Sequence, residues 1–388
     1  MGVTRREVLS AMAMGLVAAS AAKLLSGGES AGGRKPGKAG PGKKETKKLP
    51  PLARRGIHVM AGGPASMPAL EQLIGEIAPA LGLNWVILEV GDGFAYKSHP
   101  ECAGTDALTK QDARKLASLA RKRGIALVPE YNSLGHQSWH ASTGALLRAH
   151  PEFNEAPDMD PTAAGFYCMS WCPNHPALYP IVFDLYDELL DAFQAKAFHV
   201  GMDEVFILGQ CPRCKGTPNS QLFAKAVKDL HAHLVDKRKV EMLMWGDRLL
   251  NDADMHYGSW DASANDTWQA VDLVPKDIVM CDWHYGLDSP DFPSVQFFQG
   301  KGFRVWPAGF NDADAVRRFI EVARKEATPL MVGYLATTWT DVTRVVAGLA
   351  GQPYQERRQE ITRVVTSVKL GAALARGEDI PAAQPAGA

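Results

Sequence analysis

The chain has 388 residues, 46% of them hydrophobic and 22% charged, with a formal net charge of −1. That length allows one large domain or two modest ones, and the balance is that of a soluble globular protein. So small a net charge offers no global field to a polyanion, so nucleic-acid binding is not expected.

At the N terminus, Thr4-Arg5-Arg6-Glu7-Val8-Leu9 precedes a small-residue apolar stretch from Ala11 to Leu25. The pattern is that of a twin-arginine signal, and the stretch is too weak for a confident membrane span. Residues 1–25 are therefore read as a segment addressed to the twin-arginine export machinery. The expected destination is the periplasm or the exterior, with tethering to the membrane if the signal stays uncleaved. Residues 26–52 are Gly, Pro and Lys with almost no large apolar side chain. Such a segment buries too little surface to offset its ordering entropy, so a disordered basic linker is expected. A second disordered segment is expected over 373–388.

From Arg54 on, short apolar runs alternate with helical patterns. The runs are Gly56–Met60, Trp85–Val90, Ala126–Pro129, Ala197–Val200, Glu241–Trp245, Ile278–Trp283, Phe303–Pro307 and Leu330–Leu335. They do not alternate with polar residues, which suits parallel strands buried on both faces. Between them, Thr109-x-x-Asp112 resembles a capping box, and Gly124 stops the helix it starts. Apolar stripes follow at Ile181, Val182, Leu185, Leu189 and Phe193, at Leu222, Phe223, Ala226, Val227, Leu230 and Leu234, and at Val316, Phe319, Ile320 and Ala323. Residues 248–276 are irregular, and no full helix is expected there. Eight strand–helix units predict a single-domain α/β protein, a (β/α)8 TIM barrel over 53–372. No glycine-rich phosphate fingerprint follows the first strand, which disfavours a dinucleotide-binding sheet.

In such barrels the chemistry sits at the C-terminal ends of the strands. Polar and aromatic residues do gather there. Glu89 and Asp92 follow the second strand, Glu130, Asn132 and His136 the third, and Asp203 and Glu204 the fourth. Trp245 and Asp247 close the fifth, and Asp282, Trp283, His284 and Tyr285 the sixth. Trp306 lies on the seventh, and the eighth leads to Trp339 and Asp341. Tryptophans among carboxylates describe a sugar pocket, in which rings stack on C–H faces and acids accept from hydroxyls. The adjacent Asp203 and Glu204 repel, and such pairs end with their proton affinities pushed apart.

These residues resemble glycoside hydrolase family 20, the β-N-acetylhexosaminidases. His199-Val-Gly-Met-Asp-Glu204 resembles the family's His-x-Gly-Gly-Asp-Glu, with Met202 in place of the second glycine. Val128-Pro-Glu130-Tyr-Asn132-Ser-Leu-Gly135-His136 resembles Pro-Glu-x-Asp-x-Pro-Gly-His, and Trp339-Thr-Asp341 resembles the closing Trp-x-Glu. Arg55-Gly56 opens the first strand as the family's sugar-binding Arg-Gly does, and the likeness covers about residues 54–345.

The resemblance implies a retaining exo-hydrolase of an N-acetylhexosaminide, such as a glycan, chitin or cell-wall fragment. The substrate's 2-acetamido oxygen is its nucleophile, and catalysis needs no cofactor. Glu204 is then the general acid and base, and Asp203 orients the acetamido group. Arg55, Asp92, His136, Trp245, Asp247, Trp283, Tyr285, Trp339 and Asp341 are implied in substrate binding, with Glu130, Asn132 and His199 in support. The chain departs from the pattern at Met60, Met202 and Asn132 and lacks the seventh-strand tyrosine, for which Tyr285 is the nearest substitute. A hydrolase of another hexosamine derivative, or a sugar-binding barrel without turnover, is the alternative.

Of the six cysteines, Cys211-Pro-Arg-Cys214-Lys-Gly has knuckle-like spacing, and Cys168-x3-Cys172 lies in the preceding unit. Cys168, Cys172, Cys211 and Cys214 form either a structural zinc site at the rim or two disulfides, with free thiols as the third option.

Overall fold

The computed structural model describes residues 49–163, 166–356 and 359–381. The twin-arginine-type segment and most of the basic linker lie outside these residues.

Eight strands carry the fold: β1 (Arg54–Met60), β2 (Trp85–Glu89), β3 (Ala126–Ser133), β4 (Ala197–Gly201), β5 (Glu241–Trp245), β6 (Val279–Trp283), β7 (Arg304–Gly309) and β8 (Gly333–Thr337). They pair in the order β1-β8-β7-β6-β5-β4-β3-β2, all parallel, and close into the expected barrel. The absence of alternation in the sequence has a direct cause. One set of strand residues, including Ile87, Val128, Leu243, Val279 and Leu335, fills the interior. The other set, including Val86, Leu88, Phe198, Val200, Met242 and Met244, packs in the larger apolar layer outside. Neither face meets water, so neither is polar.

The bottom of the barrel is closed by aromatic rings. Trp306, expected at the mouth, is instead fully buried in the interior, 5.5 Å from the Trp85 ring, with the Arg54 guanidinium 4.3 Å over Trp85. Gly56 is what admits it: a Cβ there would stand 2.5 Å from the Trp306 ring.

The helices form where the apolar stripes lie. Lys110–Lys122 carries both halves of the Thr109–Asp112 capping box, and Leu178–Phe193, Asn219–His231 and Ala313–Lys325 bury their predicted faces. Residues 248–276 hold only short helical turns, at Asp247–Leu249, Asp252–Met255 and Thr267–Asp272. No helix among the described residues is long and apolar enough to cross a membrane.

Most strand ends lie within three residues of the sequence reading, and three boundaries depart from it in ways that matter. β3 continues past Pro129 to Ser133, with an irregularity against β4 between Glu130 and Ser133. Residues 49–52, assigned to the linker, are pinned by backbone hydrogen bonds from Leu49 N to Gly377 O and from Leu52 N to Ala375 O. The last helix runs to Ala375, and Arg317 donates to Ile380 O, so the first part of the expected tail is packed as well. In both cases backbone pairing with the other terminus supplies what the local sequence lacks.

Candidate active site

The candidate site starts with the backbone after β4. Gly201, Met202 and Glu204 all have positive φ, at 67°, 77° and 50°. A left-handed non-glycine residue costs about 1–2 kcal/mol, so this turn is held by its surroundings. A Cβ on Gly201 would stand 2.7 Å from Asn132 Oδ1, so glycine is required where β3 presses against β4. Met202 buries its side chain fully in the outer apolar layer.

The loop after β3 delivers a cation to the two acids. His136 Nε2 lies 3.1 Å from Asp203 Oδ2 and 3.2 Å from Glu204 Oε2, and its ring stacks on Trp139 at 4.6 Å. Burial works against charge on this imidazole, but the Asp203 carboxylate and the Cys168 side chain outweigh it and hold its pKa well above 6.5. One imidazolium thus offsets the repulsion of the Asp-Glu pair.

Glu204 is fixed from two further directions. Tyr167, from the long β3–β4 connection, donates to Glu204 Oε2 at 2.7 Å. The Glu204 backbone N–H donates to Asp247 Oδ2 at 2.9 Å, and the same oxygen accepts from Arg248 Nε at 2.6 Å. Arg248 is buried and also donates to three carbonyls, those of Ser259, Trp260 and Ala262. Burial pushes Asp247 up to about 6; Arg248 pulls against this and Asp203 adds to it.

Beneath the acids lies a polar layer. Glu130, fully buried, contacts His58 Nε2 at 2.9 Å and His199 Nδ1 at 3.1 Å, and accepts from Trp245 Nε1 at 2.9 Å. Burial alone pushes the Glu130 carboxyl up, but His199 and His58 outweigh it and bring its pKa below the ordinary carboxylate range. Asn132 Nδ2 donates to Glu89 Oε1 at 2.9 Å. The aromatic wall rises from this floor: Trp339 packs on His58 at 4.4 Å and over Trp245 at 5.5 Å, donates to Tyr285 Oη at 2.6 Å, and Tyr285 lies tilted against Trp283 at 5.0 Å.

The family model of "Glycosyl hydrolase family 20, catalytic domain" matches residues 88–354, more than half of the chain. The chain belongs to glycosyl hydrolase family 20. A β-hexosaminidase of Akkermansia muciniphila is 33% identical over 112 residues, covering 28% of this chain and 22% of its own. β-Hexosaminidase 1 of Coccidioides posadasii is 28% identical over 265 residues, covering 61% of this chain and 39% of its own. The chain thus spans well under half the length of these curated relatives. Among solved structures, the chitobiase of Flavobacterium johnsoniae superposes with a TM-score of 0.58 at 18% identity, over 84% of this chain and 52% of the other.

Within this family 20 barrel, several expected sugar ligands have other partners. Arg55 stands at the opposite, N-terminal end of β1, where Nε donates to Gly82 O and Nη1 to Leu52 O, both at 2.6 Å. The β1 residue that does reach the site is His58, which a lone histidine in an apolar run does not announce. Asp92 accepts from Ala145 N–H at 3.2 Å and so tethers the short helix Ala145–Ala149. Asp341 caps the helix Val342–Leu349 by accepting from Arg344 N–H. Asp247 holds the Glu204 backbone, which makes it a positioning group. Trp245 is fully buried and forms floor instead of wall. Cys168 lies beside the acids, its Sγ 3.8 Å from Glu204 O, apart from the other three cysteines. Tyr167 and Arg248 are not legible in the sequence: Tyr167 is one of several aromatics in the β3–β4 connection, with Trp139, Phe153, Phe166 and Trp171, and nothing local singles it out.

Tyr167→Phe is expected to lower kcat/KM by roughly ten-fold or more, the value of a hydrogen bond to a charged group, with the fold unchanged. Steady-state kinetics beside a thermal melt decide this, and an unchanged kcat/KM would remove Tyr167 from the machinery.

Proposed function

We propose that this chain is a retaining, exo-acting β-N-acetylhexosaminidase in which the substrate supplies the nucleophile. The observation that carries the reading is the placement of Asp203 and Glu204 around one imidazole at the end of β4. Carboxylate and imidazole atoms of the three residues lie within 4.8 Å of one another. Inverting enzymes separate their carboxyls by about 6.5–9.5 Å to admit a water, which this pair does not do.

In the first step the Glu204 carboxyl gives its proton to the glycosidic oxygen as the C1–O bond breaks. The acetamido oxygen forms the new bond to C1, and positive charge spreads over the resulting oxazolinium. Asp203, kept anionic by His136, accepts from the acetamido N–H and stabilises that charge. In the second step Glu204 takes a proton from water as the water oxygen attacks C1, and the acetamide is restored with retention. Trp283, Tyr285 and Trp339 offer ring faces to the sugar. Trp260, 41% exposed, lies 5.1 Å from the Tyr167 ring and offers a further ring face beside Glu204.

The matched relatives named as β-hexosaminidases and the chitobiase neighbour support the substrate class. One observation favours a second reading, a hydrolase of another hexosamine derivative or a barrel that binds without turnover: the expected sugar ligand Arg55 is at the far end of β1. The twin-arginine-type segment suggests that the activity is exported.

Paired chromogenic substrates test the proposal. A 4-nitrophenyl N-acetyl-β-glucosaminide is expected to be hydrolysed at least about 10³-fold faster than the β-glucoside without the acetamide, since the glucoside lacks its positioned nucleophile. Equal rates would sink substrate assistance, and tight binding of a thiazoline mimic without hydrolysis would favour the second reading.

A further inference from the structure

Three cysteines and a glutamate converge away from the catalytic acids. Cys172 Sγ lies 3.3 Å from Cys211 Sγ and 3.5 Å from Cys214 Sγ, and one Glu155 oxygen completes a group whose atoms are all within 4.8 Å of one another. All four residues are buried, and all six cysteines are free. Glu155 is fully buried; its Oε1 accepts from the backbone N–H groups of Gly209 and Gln210 at 2.6 and 3.1 Å. Its Oε2 is buried without a hydrogen-bond partner. A buried carboxylate oxygen left unpaired beside three thiols is costly unless a cation takes it up.

We propose that Glu155, Cys172, Cys211 and Cys214 bind one divalent, thiophilic, tetrahedral ion of the zinc class. The sulfur separations are close to the edge of a tetrahedral zinc–thiolate site, about 3.8 Å for Zn–S bonds of about 2.3 Å. Three sulfurs also argue against a disulfide, because any pairing leaves one thiol over beside the carboxylate. On binding, the thiols lose their protons to solvent and metal–sulfur bonds form, with no change in oxidation state. The Cys211–Cys214 knuckle is preformed: the N–H groups of Cys214 and Lys215 both donate to Cys211 O.

The ion's role follows from what it joins. Glu155 and Cys172 belong to the β3–β4 connection, which also carries Tyr167. Cys211 and Cys214 belong to the segment that leaves β4 through Glu204. An ion here ties together the two loops that meet in the Tyr167–Glu204 hydrogen bond, and closing long loops is where a crosslink stabilises most. The stretches that carry Tyr167, Cys172 and Cys211 lie outside the helices and barrel strands, so the ion adds a crosslink where backbone ladders are sparse.

The test uses the full chain, purified under reductant and desalted without chelator. Elemental analysis is expected to find about one zinc per chain, and Cys214→Ala to lose most of it. Cobalt reconstitution of the stripped protein should give thiolate-to-cobalt charge-transfer absorption and the intense visible bands of a tetrahedral site. Cys168→Ala is expected to keep the metal, and its loss there would overturn the assignment of Glu155 over Cys168. Glu155→Gln should bind about ten-fold more weakly or worse, since a charged ligand becomes neutral. Wild-type protein that takes up neither zinc nor cobalt under reductant would refute the site without reliance on any variant.

Discussion

Glu204→Gln is expected to lower kcat on a substrate with a poor leaving group by about 10²–10⁴-fold, the usual contribution of a positioned general acid. KM should move little, because the substitution preserves size and leaves an oxygen for His136 Nε2 and the Tyr167 hydroxyl. The backbone N–H stays on Asp247 Oδ2, and the Tyr167 hydroxyl still has an amide oxygen to donate to. What is lost is the transferable proton. The loss should therefore shrink as the leaving group becomes a better anion, because a dinitrophenolate needs no proton to depart. The kcat/KM values of a series of aryl N-acetylglucosaminides, which report the bond-breaking step and not the later base step, give the result on wild type and variant as a change of slope. An equal loss across the series would place the acid elsewhere, and a wild-type rate would remove Glu204 from the chemistry.

The site that this variant probes was legible to different depths. The barrel could be read because parallel strands with both faces covered leave continuous apolar runs, and Ile87 and Val86 face opposite layers while both are apolar. The Asp-Glu pair could be read because repelling neighbours at a strand end need a cause. Direction along a strand is harder to see. Arg55 and His58 sit in one run, yet one is at the bottom and the other beneath the Asp-Glu pair's site, and only register separates them. Trp306 is hard to place for a related reason, since an inward-facing ring on β7 belongs to floor or mouth with the same local sequence. Long connections hide most. Tyr167 reaches Glu204 and Glu155 reaches the thiols through folding of an irregular loop, which has no periodicity to read. Cys168 shows the limit of spacing: it is near Cys172 in sequence, but it turns to the acids while Glu155 takes the fourth place.

Asp203→Asn is expected to cost about 10²–10³-fold in kcat, comparable to removing one preorganised electrostatic contact to a charge that develops in the transition state. The amide still reaches the acetamido N–H through its oxygen, so ground-state binding should survive. A neutral group cannot stabilise the oxazolinium, so the loss falls on the chemical step. The same variant has a signature in stability. In wild type the imidazolium of His136 is held by Asp203 against burial, so its folded pKa is above its unfolded value. A raised cationic pKa contributes stability that is fully present below about pH 6.5 and is lost as pH rises through the folded value. Without the Asp203 charge, burial dominates and that contribution falls. The melting-temperature gap between wild type and Asp203→Asn should therefore be widest in mild acid, near pH 6, and narrow as pH rises through the alkaline range. A gap that stays constant between pH 6 and 10, together with a large loss of kcat, would mean that Asp203 acts on the substrate while some other group keeps His136 charged.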